Sequence, residues 1–410
     1  MDTLIILGRQ PELGLAELES LYGAQKITPA GTQAALVTVD PCFLAFDRLG
    51  GAVKFCKVLQ VLETVEWKSV EQFLLRVAPE QSRRMPEGKM QLGLSAYDFS
   101  VDARQLLATG LALKKAIHQT GRTVRLIPNK EPALNTAQVN HNHLTGPNGW
   151  ELVVVQDSNR TIIAQTVKVQ DIESYTLRDR GRPKRDPRIG MLPPKLAQII
   201  INLASGLLPE DKTASTCETA DGQPLLRQKL GRRVLDPFCG TGVLLQEALL
   251  IGYDTYGTDL DQRMIAYSKA NLAWLDQRFD FAGSYYLEAG DATSHQWSQP
   301  VDLVASEAYL GRPFTAIPDS RLLDQTIAEC NTIIKKFLQN LHGQIPAGTR
   351  ICLAVPAWQT RLGNFMHLPL VDQVKNLGYN RVSFEHVRKG LLYYRPNQIV
   401  ARELLIITRN

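Results

Sequence analysis

Several things are scarce in this chain of 410 residues, and each scarcity removes a class of protein. The six cysteines (Cys42, Cys56, Cys217, Cys239, Cys330, Cys352) are scattered with no C-x-x-C pair, which argues against a structural zinc site or a disulfide framework. The longest strongly apolar stretch, around Ile199 to Leu208, falls well short of the ~20 residues that cross a bilayer, so no membrane span is expected. The opening Met-Asp-Thr-Leu-Ile-Ile-Leu-Gly has neither a basic head nor a long apolar run. It reads as a first strand rather than a secretory signal, and the expected location is the cytoplasm. Low-complexity tracts are absent as well. What is present, 44% hydrophobic and 21% charged residues, supplies apolar surface for more than one core, and the length suggests two or three domains.

The histidines include one close pair, His141 and His143, flanked by Asn140 and Asn142. No further ligands accompany it, so it reads as a polar helix end or loop, and no metal is expected. The net charge of +5 is modest, but it is unevenly spread. Residues 101–200 hold 15 Lys/Arg against 8 Asp/Glu, an excess of +7, whereas residues 201–410 balance. The densest basic piece contains Arg178, Arg180, Arg182, Lys184, Arg185 and Arg188, interrupted by Gly181, Pro183 and Pro187. Its Gly and Pro residues predict an extended connector between two halves. Such a connector is either a solvated linker or a segment that contacts nucleic-acid phosphates.

The first half alternates short strands and helices. Strands are expected at Leu4 to Leu7, Ala34 to Val39 and Ala52 to Leu62, with a helix over Glu12 to Tyr22 and helical structure from Cys42 to Leu49. After about Val65 the pattern restarts. A helix near Val70 to Val77 leads to a strand at Met90 to Tyr97, a helix from Ala103 to His118 and a strand at Thr123 to Ile127. A helix capped by Asn135 and two strands, Glu151 to Val155 and Thr161 to Val169, complete it. Two small α+β units in series are therefore expected.

The second half follows another pattern. Pro193-Pro194 opens a helix that continues from Lys195 to Leu208. Strand-like runs then alternate with helices: Arg233 to Leu235, Thr255 to Thr258, Tyr285 to Leu287, Leu303 to Ala305 and Arg350 to Val355. Val382 to Val387 and Ile399 to Thr408 close the chain, giving a doubly wound sheet with an antiparallel edge.

Chemistry-bearing residues concentrate where those strands end. The first runs into Asp236-Pro237-Phe238-Cys239-Gly240-Thr241-Gly242 before an apolar helix. Gly240 and Gly242 let backbone approach a ligand, and a strand-end acid can accept from a ligand ammonium group. The spacing is not G-x-G-x-x-G, so a dinucleotide site fits poorly. Asp259 ends the next strand, 23 residues after Asp236, where an open sheet places the carboxylate for ribose hydroxyls. Gly290-Asp291-Ala292 ends the third, where an acid can accept from an adenine amino group. Three acids in order on consecutive strand ends point to a nucleoside pocket.

These residues resemble the S-adenosylmethionine site of class I methyltransferases. Tyr175 to Pro183, with Gly190-Met191-Leu192-Pro193-Pro194-Lys195-Leu196-Ala197-Gln198, resembles the linker of the THUMP-domain tRNA guanine 2-amino methyltransferases. The resemblance covers most of the chain, being firmest from about Thr161 to Asn271. It implies a ferredoxin-like α+β domain at residues 1–64, a THUMP-like RNA-binding domain at 65–172, a basic linker at 173–192 and a Rossmann-like methyltransferase domain at 193–410. It also implies S-adenosylmethionine as cofactor: Asp236 would meet its amino acid part within the Phe238-Gly240-Gly242 loop, Asp259 its ribose and Asp291 its adenine, while Pro194 at the helix start helps close the pocket. Arg178, Arg180, Arg182, Lys184, Arg185 and Arg188 become candidate contacts for tRNA or another structured RNA. The sequence leaves a partner subunit open.

One departure stands out. Family members that methylate exocyclic amines end the fourth strand in D-P-P-Y or N-P-P-Y, whereas Val301 to Ala305 here runs into Ser306-Glu307-Ala308-Tyr309-Leu310-Gly311. Tyr309 keeps the position that stacks on a flipped base. Ser306 stands where the acid is expected, and the carboxylate is displaced by one residue to Glu307, which turns a strand-end side chain to the other face. Ser306, Glu307 and Tyr309 are thus the candidate catalytic residues, with Glu307 accepting from the target amine. A DNA amine methyltransferase, and an RNA-binding protein that keeps the fold without catalysis, remain as alternatives.

Overall fold

The computed structural model describes residues 3–186, 191–208, 230–314, 316–361, 364–396 and 398–410. The chain divides into two compact units: Met1–Pro11, Gln25–Asp47 and Ala52–Ile172 form one, and Glu12–Ala24, Arg48–Gly51 and Glu173–Asn410 the other.

In chain order the elements up to residue 172 are β1 (Thr3–Leu7), α1 (Pro11–Tyr22), β2 (Ile27–Ala30), β3 (Ala34–Val37), β4 (Ala52–Leu62), α2 (Trp67–Arg83), β5 (Met90–Tyr97), α3 (Ala103–His118), β6 (Val124–Leu126), α4 (Thr136–His141), β7 (Gly149–Asp157) and β8 (Arg160–Val169). The eight strands make one sheet in the order β2-β3-β1-β4-β8-β7-β5-β6. The sequence pattern suggests two α+β units in series; instead β4 pairs antiparallel with β8 along nearly its whole length and fuses the two sets of strands. Local patterning could not show this, because the pairing closes a loop of about a hundred residues. Central β7 reads Trp-Glu-Leu-Val-Val-Val and is buried on both faces, as a covered strand requires. Helix starts follow their side chains: Asp102 accepts from the Gln105 amide at 2.8 Å, and Asn135 and Gln138 form a reciprocal capping box, each contact contributing roughly 1 kcal/mol. Between Cys42 and Leu49 there are only two short 3-10 turns, Pro41–Phe43 and Phe46–Arg48.

The second unit continues with α5 (Ile172–Arg180), α6 (Pro194–Ser205), β9 (Arg233–Asp236), α7 (Val243–Ile251), β10 (Asp254–Asp259), α8 (Gln262–Asp276), β11 (Tyr285–Ala289), β12 (Leu303–Glu307), α9 (Ser320–His342), β13 (Arg350–Arg361), β14 (Asn364–Met366), β15 (Tyr379–Arg381), β16 (Leu392–Tyr393) and β17 (Val400–Arg409). The main sheet path runs β11-β10-β9-β12-β13-β17-β15, with β17 antiparallel to both neighbours. Strand order reverses between β9 and β12. That is the topological switch point, where open α/β sheets bind ligands at the carboxyl ends of their strands. Val234, Leu303, Ala305, Ala354 and Leu404 pack with α6 and α7 on one face, and Leu235, Val304, Leu353 and Leu405 with α9 on the other.

Helix α1 belongs to this second unit although it follows the first strand of the other. Its acids are spent on backbone. Glu17 accepts from the Gly50 and Gly51 amides and from Asn202 of α6. Glu19 accepts from the Glu385 and His386 amides, and Glu12 from the Arg388 amide. In the expected strand Val382 to Val387, Val382 still donates to the Ile406 carbonyl of β17, but the Glu385 and His386 amides are held by a carboxylate rather than by a ladder, and the strand that ends the path is Tyr379–Arg381 instead. No helix among the described residues is long and apolar enough to cross a membrane.

Candidate active site

The edge at the switch point gathers most of the strand-end residues singled out by sequence. Asp236 ends β9 and is buried; its Oδ1 accepts from Ser306 Oγ at 2.6 Å and from the Phe238 amide at 3.3 Å. Burial pushes its carboxyl up to about 7, with Asp259 and Glu307 raising it further, while the Ser306 and Phe238 hydrogen bonds pull it down. No cation pairs with this buried acid among the described residues, and a bound ammonium group would complete it.

The following loop is held from two sides. Gly240 donates its amide to Asp259 Oδ2 at 2.9 Å, and its carbonyl accepts from Ser268 Oγ at 2.8 Å. Gly240 and Gly242 have φ of +49° and +81°, conformations that β-carbon-bearing residues avoid. A Cβ at Gly242 would lie 2.9 Å from Ser268 Oγ, whereas one at Gly240 would meet nothing within 4 Å. Gly242 is therefore required by packing and backbone, and Gly240 borders open space. Phe238 sits half-buried, edge-on to Phe337 of α9 at 5.2 Å.

Asp259 is half-buried, and burial raises its carboxyl; its Oδ1 accepts from the Asp261 amide at 2.9 Å. Asp291 is exposed and uses only Oδ1, toward the Thr293 amide and hydroxyl at 2.9 and 2.8 Å, so Oδ2 has no partner among the described residues. Pro194 is buried at the first turn of α6. Arg232 Nη1 reaches the carbonyl of Ser205, so the α6 carboxyl end lies at the starts of the strands and its Pro194 end at the site edge.

The end of β12 separates its two candidate side chains. Ser306 is fully buried and gives its hydroxyl to Asp236. Among the three candidate catalytic residues it is thus the one turned inward, toward the strand-end acid. Glu307 points to the opposite face, remains partly exposed and pairs with Arg402 Nε of β17 through Oε1. Tyr309 lies partly exposed beyond it and donates its hydroxyl to Glu329 of α9 at 3.0 Å.

The basic segment divides as well. It is not an extended connector at its start, because α5 is helical through Arg180 and packs within the second unit. Arg178 is buried in an ion pair with Glu247 at 2.7 Å and lies over the Tyr175 ring, so its guanidinium is engaged within the unit. Arg182 is also buried, which depresses its guanidinium, and it presents no surface to RNA. Arg180, Lys184 and Arg185 are exposed; Arg188 lies outside the described residues. The amide and carbonyl of Lys184 are both clamped by Asn271 at 2.9 Å, and the same Asn271 donates to the Thr241 carbonyl at 2.8 Å. That clamp ties the basic segment to the glycine loop.

Three further residues belong to the edge without having been singled out from the sequence. Arg402 is 95 residues from Glu307. Asn271 lies inside an ordinary amphipathic helix. Leu260, 76% exposed directly after Asp259, did carry a signal: an apolar residue between two acids at a strand end. Among the described residues, no group of three or more His, Cys, Asp or Glu side chains could hold a metal ion.

No protein-family model matches the chain. It is 28% identical over 211 residues to a tRNA (guanine(10)-N2)-dimethyltransferase of Methanothermobacter thermautotrophicus, covering 50% of this chain and 51% of that protein. It is 35% identical over 130 residues to the protein of the same name from Methanocaldococcus jannaschii, covering 32% of this chain and 30% of the relative. The matches thus span about half or less of the length of these curated relatives. Crystalline TrmN from Thermus thermophilus aligns over 100% of both chains with a TM-score of 0.50 at 16% identity, a likeness of fold. The second unit has an α/β, Rossmann-like sheet, and the first is a further α+β unit, an architecture that resembles TrmN in fold.

Proposed function

We propose that the protein is an S-adenosylmethionine-dependent tRNA methyltransferase acting on the exocyclic 2-amino group of a guanosine. The observation that carries the reading is the placement of Glu307: a partly exposed carboxylate at the switch point, within electrostatic reach of buried Asp236, with one oxygen engaged by Arg402. The names of the two archaeal relatives support the substrate class.

The residues present fit the cofactor. Asp236 would take its ammonium group, Asp259 the ribose, the unpartnered Oδ2 of Asp291 the adenine amino group, and exposed Leu260 the flat adenine face. Bound S-adenosylmethionine supplies an electrophilic methyl group on a sulfonium. The protein's own task is then mostly positioning. Tyr309, steadied by Glu329, stacks on a base taken out of its helix. Glu307 accepts a hydrogen bond from the guanine amine, takes up positive charge as it develops on nitrogen and receives the displaced proton or passes it to water. Exposed Arg180, Lys184 and Arg185 offer phosphate contacts, so RNA binding should weaken steeply with salt.

The test is transfer of radiolabelled methyl from S-adenosylmethionine to unmodified tRNA transcripts, with unlabelled DNA as competitor. Label recovered in a guanosine 2-amino derivative and undiminished by DNA supports the reading. Label in DNA, or RNA binding without transfer, would replace it.

A further inference from the structure

The pairing registers place Arg402 beside Glu307. Glu307 pairs with Ala354 of β13, and Arg402 pairs with Pro356, two residues further toward the carboxyl edge. Side chains alternate along strands, so Glu307 and Arg402 share one face, and Arg402 stands across β13 from Glu307. The Arg402 side chain is 7% exposed and gives Nε to Glu307 Oε1; its two Nη groups make no hydrogen bond among the described residues. Glu307 Oε2 likewise has none. The pair therefore presents, in line, an open acceptor, an acceptor shared with Nε, and open donors.

We propose that Arg402 and Glu307 together read the Watson–Crick edge of the target base, with Arg402 donating to guanine O6 while Glu307 accepts from the 2-amine and N1–H. Guanine offers donor, donor and acceptor in that order, the complement of the pair. Adenine offers no donor beside an acceptor N1 followed by an amino donor, which would face the guanidinium with like polarity. Arg402 thereby does two jobs from one guanidinium: it orients the carboxylate through Nε and selects the base through Nη. This inference rests on the proposed guanine methylation and assigns the residue that makes it selective.

The experiment uses the full-length protein and transcripts in which the methylated guanosine is replaced by 6-thioguanosine, which keeps the 2-amine and the N1–H and exchanges O6 for sulfur, a much weaker hydrogen-bond acceptor. The wild type should prefer guanosine by about 10- to 100-fold in kcat/KM, the span of one good base contact. Arg402→Met should bring that preference down to a few-fold, chiefly by losing activity on guanosine. Should Arg402→Met fail to fold, Arg402→Lys decides, since one ammonium cannot serve both Glu307 and O6 and the preference should again fall. A preference that survives intact in the folded variant overturns the inference alone. Failure of the wild type to methylate guanosine, with cofactor still bound, overturns the functional reading and this inference with it.

Discussion

Each unit contains a buried pair of opposite charges on two strands with one strand between them, and the two pairs are finished differently. In the first, Lys54 of β4 meets Glu151 of β7, and nothing is left over: Lys54 also donates to the Leu134 carbonyl at 2.8 Å, while Glu151 accepts from Ser95 and Thr166 at 2.6 Å each. Both side chains are essentially inaccessible, at 2% and 0% exposure. In the second, Arg402 and Glu307 sit at 7% and 16%, each with hydrogen-bonding capacity unspent. The same chemistry, saturated, fastens a sheet; left incomplete at a strand's carboxyl end, it becomes a place for a ligand. Charge and burial alone do not separate the two cases. The count of unfilled donors and acceptors does.

The comparison can be broken at its ends. Lys54→Met would strand Glu151 in the sheet interior and should cost about 3–5 kcal/mol of stability, measured by denaturant unfolding, since removing one partner of a buried pair leaves an uncompensated charge. Glu307→Gln should behave oppositely: stability near that of the wild type, but kcat for methyl transfer lower by about 100-fold, as for other groups that meet developing charge. Equal behaviour of the two variants would dissolve the distinction.

Asp236 sharpens it further. Its folded-state carboxyl is raised from 3.8 to about 7, so the folded protein holds that proton more tightly than the unfolded chain. The associated stability is fully present below pH 3.8 and is lost as pH rises through about 7. Cofactor binding has the opposite sign, because an ammonium group pairs with the ionised acid. Affinity measured by calorimetry should rise with pH up to and through about 7 and then level off, and Asp236→Asn should weaken binding and flatten the curve. The smallest effect is expected from Ser306→Ala. Losing the hydrogen bond that lowers the Asp236 carboxyl should move the same curve to higher pH without abolishing transfer.

Much of this was legible in the sequence because it is local. The strand ends at Asp236, Asp259 and Asp291, the glycine turn and the α6 start are each set within a few residues, and the apolar periodicity of the second half describes its sheet well. What was not legible depends on partners far along the chain. Arg402 becomes informative only when β13 brings it beside Glu307. Arg178 looks like its exposed neighbours in the basic run until Glu247 of α7 takes it inward. The carboxylates of α1 that hold residues 385–388 likewise have no sequence signature, since the backbone amides that donate to them lie more than 350 positions away. The hydroxyl of Ser306 likewise has a buried partner, Asp236, that spacing does not reveal.

The central claim is that the displaced carboxylate at the end of β12, and not the serine before it, receives the target amine. The most direct measurement is single-turnover methyl transfer to an unmodified tRNA transcript by wild type, Glu307→Gln and Ser306→Ala, each saturated with cofactor. The account predicts label in a guanosine 2-amino derivative for the wild type and for Ser306→Ala, and a rate about 100-fold lower for Glu307→Gln with cofactor affinity unchanged. Full transfer by Glu307→Gln would contradict it.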